Sequence, residues 1–225
     1  MAEPLLLVAA SGLAREVLAA ARTHGLFDVV GFLDDSPALQ GTTIDGVPVL
    51  GPIDAVRAHP APLVLVCAGS GAARERIVAR LDALGVAPRR YATFVHPSVE
   101  VPDGCEVGTG AILLAGVVLT TSVAVGKHVV AMPNVTLTHD DVLQDFATAC
   151  AGVALGGNVT VGRGSYLGMN SSVRERTTVG AGATLGMGAV LLDDLPDGQT
   201  WAGVPARPLR LALGRENDEK KVTIA

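Results

Sequence analysis

The chain has 225 residues, a formal net charge of −5 and no run of basic residues, so it offers nucleic acid no electrostatic footing. Its three cysteines, Cys67, Cys105 and Cys150, have neither paired nor metal-ligand spacing, which sets aside a disulfide framework and a thiolate metal site. The one long uncharged stretch, Thr109 to Gly126, carries Thr120, Thr121, Ser122 and three glycines, which speaks against a membrane span. Met1 to Val8 show no basic leader or cleavage pattern, and a cytoplasmic protein is expected.

In chain order, Leu5 to Val8 predict a short buried strand and Ala9-Ala10-Ser11-Gly12 a turn into a helix over Leu13 to Thr23. Val29 to Leu33 form a second strand ending in Asp34-Asp35. Leu63 to Ala68 form a third, followed by Gly69-Ser70-Gly71 and a helix over Ala72 to Leu84. Alternating strands and helices predict a small parallel sheet, an α/β Rossmann-like domain over residues 1–92. Ligands bind such sheets at the carboxyl ends of the strands, where Ser11-Gly12, Asp34-Asp35 and Gly69 to Gly71 meet. Backbone N–H groups at a helix start suit phosphate, and carboxylates suit sugar hydroxyls. Only one glycine of the dinucleotide fingerprint is present, which disfavours a nicotinamide cofactor. The plainer alternative for Asp34-Asp35 is a solvated strand end before the Ser36-Pro37 turn.

Beyond residue 93 the texture changes. Stepping by six from Val95 to Leu191 meets only Val or Leu, apart from Ala131 and Ala149. Neither a helical period nor strand alternation generates such a run. Glycine follows this column at 108, 126, 156, 162, 168, 180 and 186, and the residue four after each member is mostly small or β-branched. Three six-residue segments make an 18-residue coil, so residues 93–210 are expected to form a triangular prism of stacked parallel coils. With a spacing of about 4.8 Å, five coils give a prism on the order of 25 Å long. The tail, 211–225, is charged and ends near Lys220-Lys221; it reads as solvated, with capping of a phosphate-bearing ligand as the alternative. Trp201 reads as packing at the prism's end.

Of the five histidines, His24 and His59 read as surface residues and His96, before Pro97, as a boundary residue where the solenoid begins. His139 stands apart in Thr138-His139-Asp140-Asp141, in mid-prism, projecting outward near a corner where a neighbouring subunit could cover it. An adjacent carboxylate would fix the imidazole's tautomer for general-base work. Gly157 lies one coil further on, so its backbone should pass within about 5 Å of the backbone at His139. An exposed N–H there could stabilise an oxyanion; the alternative is a glycine that only turns a corner. Asp141 falls in the interior column between Val123 and Val159, and a carboxylate buried there must find a backbone N–H or His139.

These features together resemble the sialic-acid O-acetyltransferase and bacillosamine N-acetyltransferase family of hexapeptide-repeat acyltransferases. The likeness rests on Ala10-Ser11-Gly12, Phe32-Leu33-Asp34-Asp35, Val95-His96-Pro97-Ser98, His139-Asp140, the hexapeptides, and Ala202-Gly203-Val204-Pro205-Ala206-Arg207. The resemblance implies a left-handed parallel β-helix, a homotrimer, and acetyl-CoA lying between adjacent prisms, with no metal. It makes His139 the base, Asp140 its tuning carboxylate and Gly157 the oxyanion donor. Thr148, Gly168, Met169, Gly186 and Met187 would face acyl-CoA, and Ser11, Gly12, Leu13, Asp34, Asp35 and Gly69 the acceptor, a nucleotide-linked sugar such as a nucleotide amino sugar, which takes the acetyl group on an amino or hydroxyl group. Three departures, Leu13 and Thr148 where some members have histidine and Met132 where asparagine occurs, bear on the acceptor and the acyl group. Competing expectations are acylation of an amino acid or secondary-metabolite scaffold, and a trimeric binding scaffold without turnover.

Overall fold

The computed structural model describes residues 2–209; the tail over 211–225, with Lys220-Lys221, lies outside them. The N-terminal unit holds β1 (Glu3–Val8), α1 (Gly12–His24), β2 (Phe27–Leu33), β3 (Thr43–Ile44), β4 (Val47–Gly51), β5 (Leu63–Val66) and α2 (Gly71–Ala83). Its sheet order is β3-β4-β2-β1-β5. β1 runs parallel to β2 and β5, β4 runs parallel to β2, and β3 folds back antiparallel on β4. Leu5 to Val8 are fully buried because both faces of β1 are covered, the reason the strand reads as an unbroken apolar run.

Local chemistry sets both helices. Ser11 caps α1 by accepting the Ala14 N–H at 3.3 Å, and Gly25 closes it in the left-handed region at φ 62°. Leu13, Ala14, Val17, Leu18 and Ala21 recur at helical spacing and form its buried stripe. Ser70 caps α2 in the same way. The β3–β4 hairpin turns on Asp45 and Gly46, both at positive φ.

From Phe94–Val95 the chain winds into two-residue strands in three parallel sheets. Ala124 pairs with Val142 and Val142 with Thr160, a step of 18 residues that the register repeats coil after coil. One face carries Ile112–Leu113, Val130–Ala131, Thr148–Ala149 and Tyr166–Leu167; a second carries Val118–Leu119, Thr136–Leu137 and Ala154–Leu155; a third carries Ala124–Val125, Val142–Leu143 and Thr160–Val161. The expected Val/Leu column fills the interior from Leu113 to Leu191. It fails at Val101, which is 43% exposed, because the segment before Glu106 pairs with no strand on that face. At the far end the coil shortens: Leu185 pairs with Trp201, which packs against the interior.

The first face is where the N-terminal unit docks. Ile112, Leu114 and Val130 share a core with Leu5, Leu7 and Phe94. Arg74 of α2 is fully buried across this junction. Its guanidinium donates to the carbonyls of Ala68 and Gly69 on its own side and of His128, Phe146 and Ala147 on the prism, and to Thr148 Oγ1, all at 2.8–2.9 Å. Burial lowers its pKa to about 10, which leaves it charged at neutral pH. Gly71 completes the fit: a Cβ there would sit 2.2 Å from the Phe146 carbonyl oxygen, so only glycine lets α2 press on the prism.

Candidate active site

His139 lies at the corner between the second and third faces, in the turn between Thr136–Leu137 and Val142–Leu143. The turn is made by Asp140 in the left-handed region at φ 63°, which aspartate tolerates. His139 Nδ1 is 2.9 Å from Asp140 Oδ2, with the two side chains 61% and 55% exposed. A carboxylate only accepts, so Nδ1 carries the hydrogen and Nε2 presents its lone pair. The ring rests on Gly157: a Cβ at that glycine would lie 2.2 Å from both Nε2 and Cε1. The Gly157 N–H finds no acceptor among the described residues. A base, its orienting carboxylate and an uncommitted donor therefore share one corner. Gly157→Ala should push the ring aside and lower kcat by about a hundredfold, since a displacement near 1 Å costs that much. Melting and steady-state kinetics on the purified variant check it, and an active variant would show that the ring has room.

Asp141, one residue on, points inward and is fully buried. Its Oδ2 accepts the Thr138 N–H at 2.7 Å and its Oδ1 the Val159 N–H at 2.9 Å, the backbone partners expected of a carboxylate in that column. Burial pushes its pKa up to about 6, against the pull of those two donors. The fold thus favours the neutral acid: this stabilising term is full below about pH 4 and is lost as pH rises through about 6. At neutral pH the ionised form is held at a penalty on the order of 3 kcal/mol.

At the carboxyl edge of the N-terminal sheet, Ala9, Asp34, Asp35, Ile53, Arg76 and Arg80 line a cleft of about 350 Å³. Asp34 is no solvated strand end: Oδ2 accepts the Ala10 N–H and Oδ1 the Ser36 N–H, both at 2.8 Å. Asp35 accepts the Ile53 N–H and pairs with Arg80 at 2.5 Å. Desolvation is the largest single influence on the Asp35 carboxyl and pushes it up, but the Arg80 guanidinium and the Ile53 N–H together outweigh it and hold the carboxyl below its usual range. Arg76 and Arg80, absent from the sequence expectations, lie four residues apart on α2, a spacing that puts both on one helical face.

The expected residues fare unevenly. Ser11 is committed, its hydroxyl donating to the Cys67 carbonyl at 2.6 Å while capping α1; Gly12 is open; the Gly69 carbonyl accepts from Arg74 and Thr148. Leu13 does not face an acceptor, because α1 turns it into the core, 6% exposed. Thr148 does not face acyl-CoA: it is buried under α2, bonded to Arg74 and Gly69. Met169 and Met187 are 49% and 76% exposed, at the corner between the first and second faces. Gly168 and Gly186 are glycines for stacking, since a Cβ would strike Met187 N and Ala202 Cβ of the next coil. His128, given no role from sequence, is buried against Phe146 and Tyr91, and burial lowers its pKa to about 4. Within one chain the methionines, His139 and the nucleotide-type cleft do not converge: His139 occupies the corner opposite the face that carries the N-terminal unit. Among the described residues there is no cluster fit to hold a metal ion, and no helix is long and apolar enough to cross a membrane.

A small α/β sheet leading into a parallel β-helix, with an outward histidine-carboxylate pair at a prism corner, defines an acyltransferase of the β-helix class. Residues 4–81 match the PglD N-terminal domain. The acetyltransferase domain of PglB from Neisseria gonorrhoeae FA1090 superposes with a TM-score of 0.84 at 31% identity, covering 92% of this chain and 100% of that one. A second structure of that domain, in complex with acetyl coenzyme A, gives 0.83. GDP-perosamine N-acetyltransferase of Escherichia coli O157:H7 is 29% identical over 185 residues, 80% of this chain and 81% of that protein. UDP-3-O-acylglucosamine N-acyltransferase of Caulobacter sp. (strain K31) is 30% identical over 112 residues, of which this chain covers only 32% of the relative's length. The chain belongs to the sialic-acid O-acetyltransferase and bacillosamine N-acetyltransferase family, and is an acetyltransferase.

Proposed function

We propose that this enzyme transfers the acetyl group of acetyl-CoA to an amino group on a nucleotide-linked sugar, as a homotrimer in the cytoplasm, with His139 as general base. The observation that carries the reading is the His139 ring, oriented by Asp140 at 2.9 Å and seated on Gly157 with Nε2 free. Nε2 takes the proton from the acceptor nitrogen as that nitrogen attacks the thioester carbonyl. The oxyanion formed receives the Gly157 N–H, and collapse of the intermediate expels the CoA thiolate, which takes the proton back from the imidazolium. Arg76 and Arg80 suit a nucleotide's phosphates, and Asp34 and Asp35, with the turn at Ser11-Gly12 and Gly69, suit its ribose and base. Met169 and Met187 supply apolar surface for acyl-CoA, while Gly168 and Gly186 keep the coils there tightly stacked.

The corner geometry supports the trimer. An acceptor held at the N-terminal cleft faces away from its own His139, and a neighbouring prism is needed to bring a second His139 to it. Exposed Val118 and Val142, on the second and third faces, offer apolar surface for that contact. The relatives support the substrate class, one being a GDP-perosamine N-acetyltransferase and another an acetyl coenzyme A complex. A panel of UDP-, GDP- and dTDP-linked amino sugars should include one that stabilises by about 2.7 kcal/mol at 100 times its Kd. That compound should be acetylated when acetyl-CoA is added. Stabilisation and turnover with free amino acids alone would transfer the reading to a non-nucleotide acceptor.

A further inference from the structure

The prism ladder has one irregularity, and it lies beside His139. From Gly108 to Gly186, every sixth residue donates its backbone N–H to a carbonyl of the next coil, as Thr120 does to Leu137 and Gly156 to Val173. Thr138 is the single exception among the described residues: its N–H goes to Asp141, and Leu155 O accepts the Thr138 hydroxyl at 3.1 Å instead. Pairing between these two strands is correspondingly reduced to Thr136 with Ala154. One coil on, the N–H groups of Val153 and Ser165 turn back to carbonyls three residues earlier, but Val159 donates to Asp141. The two N–H groups that Asp141 takes flank the site, one immediately before His139 and the other two residues after Gly157. A side-chain hydroxyl is thus interposed in a ladder bond at this corner, where the imidazole occupies the place of a Cβ on Gly157.

We propose that Asp141 is a positioning residue for acetyl transfer: it withdraws the Thr138 N–H from the ladder, holds the Val159 N–H of the next coil, and so seats His139 on Gly157. The inference rests on the reading of His139 as the base. Asp141 sits among Val123, Val159, Val135 and Ala147, with His139 and Asp140 the ionisable groups that act on it. Nothing in that apolar column calls for a carboxylate on grounds of packing, and a valine there would match its coil neighbours.

Asp141→Val is therefore the informative variant. It should melt no lower than the parent while kcat falls about 10- to 100-fold, as losses of supporting contacts do, with KM for acetyl-CoA within about threefold. Its crystal structure should show the Thr138 N–H returned to Leu155 O and the ring lifted from Gly157. Asp141→Asn keeps one acceptor oxygen but turns an amide N–H₂ toward the other donor, so its kcat should fall between parent and valine variant. Parent-like kcat in either variant, or a lost kcat with His139 still on Gly157, would overturn the proposal. If the parent acetylates no acceptor the function reading fails separately, and the ring position in Asp141→Val still decides this one.

Discussion

Replacing His139 with alanine is expected to lower kcat by about 10² to 10⁴ while leaving fold and assembly intact. The side chain is 61% exposed, its one recorded bond goes to an equally open Asp140, and it fills no part of the interior. Removing it creates no cavity and strands no buried polar group, so a melting change beyond a few tenths of a kcal/mol is not expected. Asparagine should be nearly as poor as alanine, since its amide cannot cycle a proton. The measurement is single-turnover acetylation of the acceptor found by the nucleotide-sugar panel, with chromatography to follow the assembly. Activity within threefold of the parent would remove His139 from the mechanism.

Arg74→Ala should have the largest effect on stability. The guanidinium serves five carbonyls and one hydroxyl, drawn from both units, and no carboxylate lies among its partners. Truncation leaves the Ala68, His128 and Phe146 carbonyls without a donor in a buried site and opens a void beneath α2, while the Gly69 and Ala147 carbonyls keep the Thr148 hydroxyl and the Val130 N–H. Each unmet acceptor costs about 1–3 kcal/mol where water cannot replace the donor. Partial flooding of the void moderates the sum, and a loss of at least about 4 kcal/mol is expected. For a chain of this size that is a drop of roughly 8 °C or more in Tm. Lysine should not rescue it, because three donors on a flexible stem cannot reach acceptors arranged around a planar fork. Limited proteolysis should cut the variant first between the N-terminal unit and the prism. A variant as stable as the parent would show that the apolar contacts of Ile112, Leu114 and Val130 alone hold the units together.

The solenoid was legible because its interior is a direct transcript of the sequence: each sixth residue must be aliphatic, and no distant element can change which way it points. Asp141 was legible as an anomaly for the same reason. That it reaches backbone N–H groups was legible too; which ones it reaches was not, since one of them, that of Thr138, leaves a ladder that sequence presents as uniform. Arg74 was invisible. In Ala72-Ala73-Arg74-Glu75-Arg76 it looks like any residue of a solvated helical face, and only docking on the prism sets it apart from Arg76 and Arg80. Thr148 and Leu13 failed in a related way, because matching a position in a motif carries no information about which side the packing covers. The β3–β4 hairpin was missed although Asp45-Gly46 is a strong turn signal, the flanking strands being too short to show alternation. The glycine at 157 needed the fold to be understood: the void it leaves is filled by a ring from the previous coil.

The uniform pitch of the coils has a consequence for how such enzymes diversify. Each 18-residue turn advances the corner by one strand spacing, about 4.8 Å, while restoring every side chain to its former face. Inserting one whole turn between the docking contacts at Val130 and the His139 corner would slide the base along the prism axis without rotating it. A gene that gains sequence in units of 18 codons can thus retune the reach between cleft and base, matching it to a longer or shorter sugar while every buried column stays in register. Insertions of six or twelve residues would carry the base to another corner, and lengths that are no multiple of six would turn the interior outward.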